Sequence, residues 1–426
     1  MRCLLWLICI GALAAVVSGC GGGKETGAAN PSPAMQSSGL GKVAYSLDGE
    51  VYVKALPDGE PQRVLADGVS YVPRWSPSGE WLLFQRGSTY WVMRSDGSDQ
   101  HKVRGFLAAW APRDDRLAYR SDGGPVAVEK ADGSDRRELT VPDGTLMGLS
   151  WSPDGRWLAY VEEIRNDSPF GRYAKLGVIG ADGGGDSVDL YESTDSGIVL
   201  AGWSPDGRYV LFWLAMQFSG SLMADGLPLQ SIPASGGELR ELIRGLVGSE
   251  MWSAAPGGET IAMTDGGGRE AWTGKRIAVV DVATGDVSEL TGPEMASVAP
   301  SWSADGTRIA FVSQPDRGPD VGMGSGGFAP ALRDRRIWVM GADGSDKRQL
   351  TDDPQYRDES PLWSRDGSQI LFARLDAEGQ ASLWLVPSGG GDPRLVVGAL
   401  GLSDEGPLDY YGSIGWDGIF DWWRGP

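Results

Sequence analysis

The sequence predicts an all-β fold, a β-propeller of four-stranded blades, and three observations carry that prediction. A phrase opening on Trp, "WSPDGRWLAY" at Trp151, returns as "WSPDGRYVLF" at Trp203 and "WSADGTRIAF" at Trp302. Its copies stand roughly 35–60 residues apart, a period that means one supersecondary unit per repeat. The runs between the copies are short, alternate apolar and polar residues, and are punctuated by Gly, Pro and Asp.

Each unit reads as four strands. The first ends at the Trp, at Trp75, Trp110, Trp151, Trp203, Trp252, Trp302 and Trp363, with a last echo at Trp416. The turn "SPDG" follows. Its Pro presets φ, its Asp bonds downstream backbone, and its Gly takes the left-handed conformation. The second strand starts near Val43, Trp81, Leu117, Trp157, Tyr209, Thr260, Arg308 and Gln369. The third has the form "RIWVMGADG" from Arg336, a "DGSD" turn recurs at Asp96, Asp132 and Asp343, and the fourth ends in runs such as "KRQLT" from Lys347.

Eight second strands imply eight blades. The first copy, "KVAYSLDGEVYV", has no Trp strand before it, and "SIGWDG" near the end has little after it. The two ends are therefore expected to share one blade, which leaves no open edge between them. Seven blades is the alternative, with the terminal pieces as a cap. The Trp at the repeat position are assigned to packing between blades. Trp213, Trp272, Trp422 and Trp423 fall outside that register.

The phrases "WSPDG..IAF" and "IYVM..DG" resemble the TolB-type propeller repeat, and the resemblance recurs over nearly all of residues 42–426. It implies an extracytoplasmic propeller. TolB has an α/β domain ahead of its propeller, whereas this chain shows a linker there, so the TolB partners are not carried over.

Arg2 precedes an apolar run from Leu4 to Val17, the length of a signal-peptide core and short for a membrane span. "VSGC" at Val17–Cys20 resembles a bacterial lipobox. Residues 1–19 are read as a lipoprotein signal peptide, residues 20–40 as lipidated Cys20 with a Gly/Ser/Pro-rich tether, and residues 41–426 as the propeller. Cleavage removes Cys3 and Cys9, so no disulfide is expected. The chain is expected outside the cytoplasm, tethered to the cell envelope by lipid. A net charge of −19 argues against a nucleic-acid partner.

Strands alternate in direction, so the clipped first-to-second and third-to-fourth turns share one face. The long second-to-third loops and inter-blade links share the other, where insertions in repeat proteins usually bind. From these loops Phe170, Tyr173, Phe218, Trp272, Phe328 and Tyr356 are candidates to stack on a ligand. Arg172, Arg317 and Arg357 are candidates to hold carboxylates. The expected ligand is a protein, peptide or cell-wall component.

A lone His, His101, cannot supply a multi-His metal site, and it is placed on an outer strand. No G-x-S-x-G elbow occurs. Prolyl-oligopeptidase-type enzymes, whose propeller the repeat also resembles, carry their triad on an added hydrolase domain, and none is legible here. The expectation is a non-catalytic binding platform without metal or cofactor. The rival is a carbohydrate-active or hydrolytic propeller using carboxylates on the long-loop face, which a pair of Asp/Glu facing each other across a pocket would favour.

Overall fold

Thirty-two strands of the computed structural model arrange in sequential antiparallel order. The structure describes residues 39–425 apart from 123, 140–143, 166–171, 185–186, 217–225, 323–328, 402–411 and 413. Six sheets have four strands. A seventh has eight and divides into two units joined only at the pair Gly245↔Asp265. The described strands thus form eight four-stranded blades, numbered here in chain order.

Blade 1 contains Lys42–Leu47, Glu50–Ala55 and Gln62–Leu65, and its inner strand is Phe420–Trp423 from the opposite end of the sequence. Val43 stands opposite Trp422, and Lys42 opposite Trp423. The shared terminal blade expected from the sequence is therefore present. The inner strands of blades 2 to 8 are Ser70–Trp75, Gly105–Trp110, Thr145–Trp151, Ser196–Trp203, Trp252–Ala254, Met295–Trp302 and Arg357–Trp363.

The repeated phrase is explained by its hydrogen bonds. In blade 4, Ser152 Oγ donates to Asp154 Oδ1 at 2.6 Å and accepts from the Trp157 amide at 2.9 Å. Gly155 closes the turn at φ 71°, where a side chain would be strained. The same ring of bonds forms at Ser204–Asp206–Tyr209, Ser303–Asp305–Arg308 and Ser364–Asp366–Gln369. The hydroxyl of Ser303, with the amide and hydroxyl of Thr307, lowers the Asp305 carboxyl to about 2.

The Trp side chains stitch neighbouring blades together. The indole N–H groups of Trp75, Trp110, Trp151, Trp203 and Trp363 donate to the carbonyls of Asp421, Arg74, Ala109, Ser150 and Ser301 at 2.9–3.2 Å. Each acceptor lies one residue before the repeat position of the preceding blade. That rule places Trp422, not Trp416, at the repeat position of blade 1. In blade 6 the position belongs to Ala254, which faces Ile261 as Trp302 faces Ile309. Trp252 stands two residues earlier, and the Trp302 indole N–H has no partner.

Six inner strands carry a one-residue β-bulge facing the central channel. At four of them the bulge holds a non-glycine residue at positive φ: Val72, Leu107, Ala299 and Ser360. Such backbone is costly for side-chain-bearing residues and breaks strand pairing at the channel wall. Among the described residues no helix is long and apolar enough to cross a membrane.

Candidate functional site at the channel mouth

Several long-loop residues meet over blades 6, 7 and 8. Arg335 precedes the third strand of blade 7 and donates to Glu359 Oε1 at 2.8 Å and to the carbonyl of Ala271 at 3.1 Å. Arg357 pairs with the same Glu359 oxygen at 2.8 Å. Next to it, Arg374 forks onto Asp358 through bonds of 2.6 and 3.0 Å, with both side chains buried. The Arg374 guanidinium also lies over Tyr356, Phe372 and Trp384 at 4.6–5.2 Å. Burial pushes the Glu359 carboxyl up, but Arg335 and Arg357 more than offset it and hold the group below its ordinary value.

The candidate residues divide accordingly. Tyr356 and Arg357 belong to this charged cluster. Trp272 is buried beneath it, its indole donating to the Pro319 carbonyl at 3.3 Å. Arg317, exposed on the blade 7 loop, pairs with Asp334 at 2.5 Å. Arg172 pairs with Glu163 at 3.2 Å on blade 4, and Tyr173 stands opposite Ile164 beside it. Phe170, Phe218, Phe328 and Cys20 lie outside the described residues. His101 stands on the outer strand of blade 2, its Nδ1 3.3 Å from the Asp99 carbonyl.

The most unusual electrostatics lie in the channel itself. The turn Trp416–Gly418 leads into the inner strand of blade 1. Asp417 accepts from Ser249 Oγ of blade 6 at 2.9 Å and pairs with Arg74 of blade 2 at 3.2 Å. Blades 2 and 6 are opposite members of a ring of eight, so this turn spans the opening. Trp416 is buried beside it, its indole 3.4 Å from Glu359 Oε2. Ser249 Oγ also lies 3.4 Å from Glu250 Oε2, so two carboxyl groups converge on one hydroxyl. Desolvation, with some help from Asp417 and Glu359, pushes the Glu250 carboxyl up to about 7.

Glu250 borders a cavity of about 560 Å³ between blades 6, 7 and 8. The bulges Ala299–Pro300 and Ser360–Pro361 form part of its wall, and Arg365 and Arg424 border it as well. Its size falls within the range of roughly 300–1,000 Å³ typical of small-molecule sites. The sequence reading passed over Glu250, Asp417 and Glu359. For Glu359 the available signal was the "RDESP" segment, where two adjacent acids, Asp358 and Glu359, fall just ahead of the repeat position Trp363.

No family model matches the chain. A stretch of 105 residues is 33% identical to a Bacillus subtilis (strain 168) protein described as an uncharacterized peptidase, YuxL. The match covers 25% of this chain and 14% of that protein, so the chain shares only about a seventh of the relative's length. Among solved structures, Porphyromonas gingivalis dipeptidyl peptidase 4 aligns with a TM-score of 0.58 at 12% identity. That alignment covers 84% of this chain and 58% of the other, and it shows the propeller fold. TolB from Acinetobacter baumannii aligns with a TM-score of 0.38 at 15% identity, over 84% of this chain and 64% of that one. The peptidase relative overturns the expectation of a non-enzyme, which rested on the missing triad, multi-His site and hydrolase domain, and it favours the hydrolytic rival that relied on carboxyl groups. The chain is a β-propeller, similar in sequence over part of its length to a described peptidase.

Proposed function

We propose that the chain acts in peptide hydrolysis, with Glu250 and Asp417 at the channel mouth as its acid and base. The observation that carries this reading is the convergence of those two carboxyl groups on Ser249 Oγ at 3.4 and 2.9 Å. The sequence relation to a described peptidase supports the peptide substrate. The two groups differ in environment, as an acid–base pair requires. Glu250 holds its proton to about pH 7, while Asp417 pairs with Arg74 at 3.2 Å.

Asp417 takes a proton from a water molecule, whose oxygen adds to the peptide carbonyl carbon. Glu250 gives its proton to the departing amine as the C–N bond breaks. The rim residues Arg172, Tyr173, Arg317, Tyr356 and Arg357 are read as contacts for the flanking peptide. Phe170, Phe218 and Phe328 are assigned the same role on sequence grounds.

The test is mass-spectrometric scoring of a defined mixture of unstructured peptides incubated with the chain. Cleavage is expected, with a loss of at least 100-fold in Glu250→Gln and in Asp417→Asn. Absence of cleavage, or cleavage unchanged in both variants, would refute the reading. We also propose a lipid anchor at Cys20, which places the chain outside the cytoplasm. Metabolic labelling with palmitate should mark the chain and fail to mark Cys20→Ser.

A further inference from the structure

The channel cavity runs from Glu250 on the long-loop side to two arginines on the short-turn side. Arg365 sits in the first-to-second turn of blade 8, and Arg424 follows the inner strand of blade 1. Arg365 Nη1 donates to the carbonyl of Gly425 at 3.0 Å, which brings the two arginines together. A guanidinium has five N–H donors, and Arg365 uses one of them.

Arg424 makes no ion pair and no side-chain hydrogen bond among the described residues. The face of Trp422 lies 5.4 Å from its guanidinium. The nearby Asp421 carboxylate is already engaged by the Trp75 amide at 2.8 Å. Arg424 is exposed to solvent; the protein around it lowers its pKa, whereas Arg94, Arg136 and Arg208 are raised by their carboxylate and hydroxyl partners. A guanidinium without a counter-charge gains from an anion that can accept hydrogen bonds from its N–H groups. These two cations border a cavity inside a chain of net charge −19. Long-range attraction of anions by the whole molecule therefore does not account for them, and a local role does.

We infer that Arg365 and Arg424 form a carboxylate-binding site at the short-turn end of the channel, and that its ligand is the free carboxyl end of a short peptide. The geometry suits a forked guanidinium–carboxylate contact. The identity of the ligand rests on the peptide reading above, whereas the anion site itself rests only on the arginines.

The test is calorimetric titration of the full chain with trialanine and with its C-terminal amide. The acid is expected to bind at least tenfold more tightly than the amide. Arg365→Gln/Arg424→Gln should abolish that preference, and Arg424→Lys should keep part of it. Equal affinity for acid and amide, or no binding of either, overturns the proposal in the unaltered protein, whatever the variants do. Tighter binding of inorganic phosphate than of trialanine overturns the carboxylate assignment. A Gly-Ser extension after Pro426 should leave the affinity unchanged, and binding gained only on extension would identify the chain's own end as occupant and overturn it too. Loss of cleavage in Glu250→Gln with the acid preference intact leaves this site standing apart from the fate of the hydrolytic reading. Cleavage with no acid preference does the reverse.

Discussion

Trp363→Phe should destabilise the protein by more than Trp302→Phe, although both replace an indole at the same repeat position. Trp363 is 2% exposed, its N–H reaches the Ser301 carbonyl at 2.9 Å, and its ring lies 4.6 Å from the Arg308 guanidinium. Substitution leaves that carbonyl without its partner, a cost of about 1–3 kcal/mol. Weaker stacking of Arg308 on the smaller ring adds about 0.5–2 kcal/mol. The Trp302 N–H has no partner to lose, because blade 6 has Ala254 at the corresponding position. Trp302 is only partly buried whereas Trp363 is fully buried, so the cavity left by the lost ring atoms adds to the difference in the same direction. The expected difference is about 1.5–5 kcal/mol, or about tenfold or more in the unfolding constant. Urea unfolding of the two variants, followed by circular dichroism to leave the fluorescence change aside, measures it as a separation of midpoints at unchanged slope. Equal midpoints would refute the view that indole-to-carbonyl bonds lock adjacent blades.

The remaining expectations concern buried charge, protonation and closure. Arg374→Met strands the fully buried Asp358 carboxylate and should cost about 3–5 kcal/mol. The double variant Asp358→Leu/Arg374→Met should recover most of that loss in the same urea assay. Glu250 has a folded pKa of about 7 against an ordinary value of 4.5, so the native state holds the extra proton between those values. Stability should therefore fall as pH rises from about 4.5 to about 7, by at most about 3 kcal/mol, and Glu250→Gln should remove the fall. Truncation before Phe420 removes the partner of Lys42–Leu47. It should shift the protein to larger species than the full chain in light-scattering chromatography, because an unpaired strand edge recruits other chains.

The fold was legible because its repeat is written in local chemistry. Each "SPDG" turn needs its own Ser, Asp and Gly within a few residues, and all eight second strands fall where the alternation puts them. The errors came where register is set across the ring. Trp416 looked like a repeat residue because "WDG" follows it, but strand pairing with Val43 selects Trp422. Trp252 misled in the same way, since "WSAAPGG" contains the turn two residues late. The channel mouth was illegible for a related reason. Ser249, Glu250, Asp417 and Arg74 are scattered over most of the sequence and meet only when the ring closes, so no local motif announces them. Trp272 illustrates the opposite hazard: an aromatic residue in a Gly-rich loop reads as exposed, yet the loop folds inward and its indole is almost completely buried.

The pairing of Phe420–Trp423 with Lys42–Leu47 sets a schedule for making the molecule. The strand Lys42–Leu47 has no permanent neighbour on its inner side until Phe420–Trp423 has been synthesised. Trp75 likewise waits for Asp421, 346 residues downstream, to receive its amide and indole protons. Assembly of the ring is thus a late, all-at-once event with high loop-closure demands. A polypeptide of this kind acquires its final resistance to proteases only after both of these strands have been made.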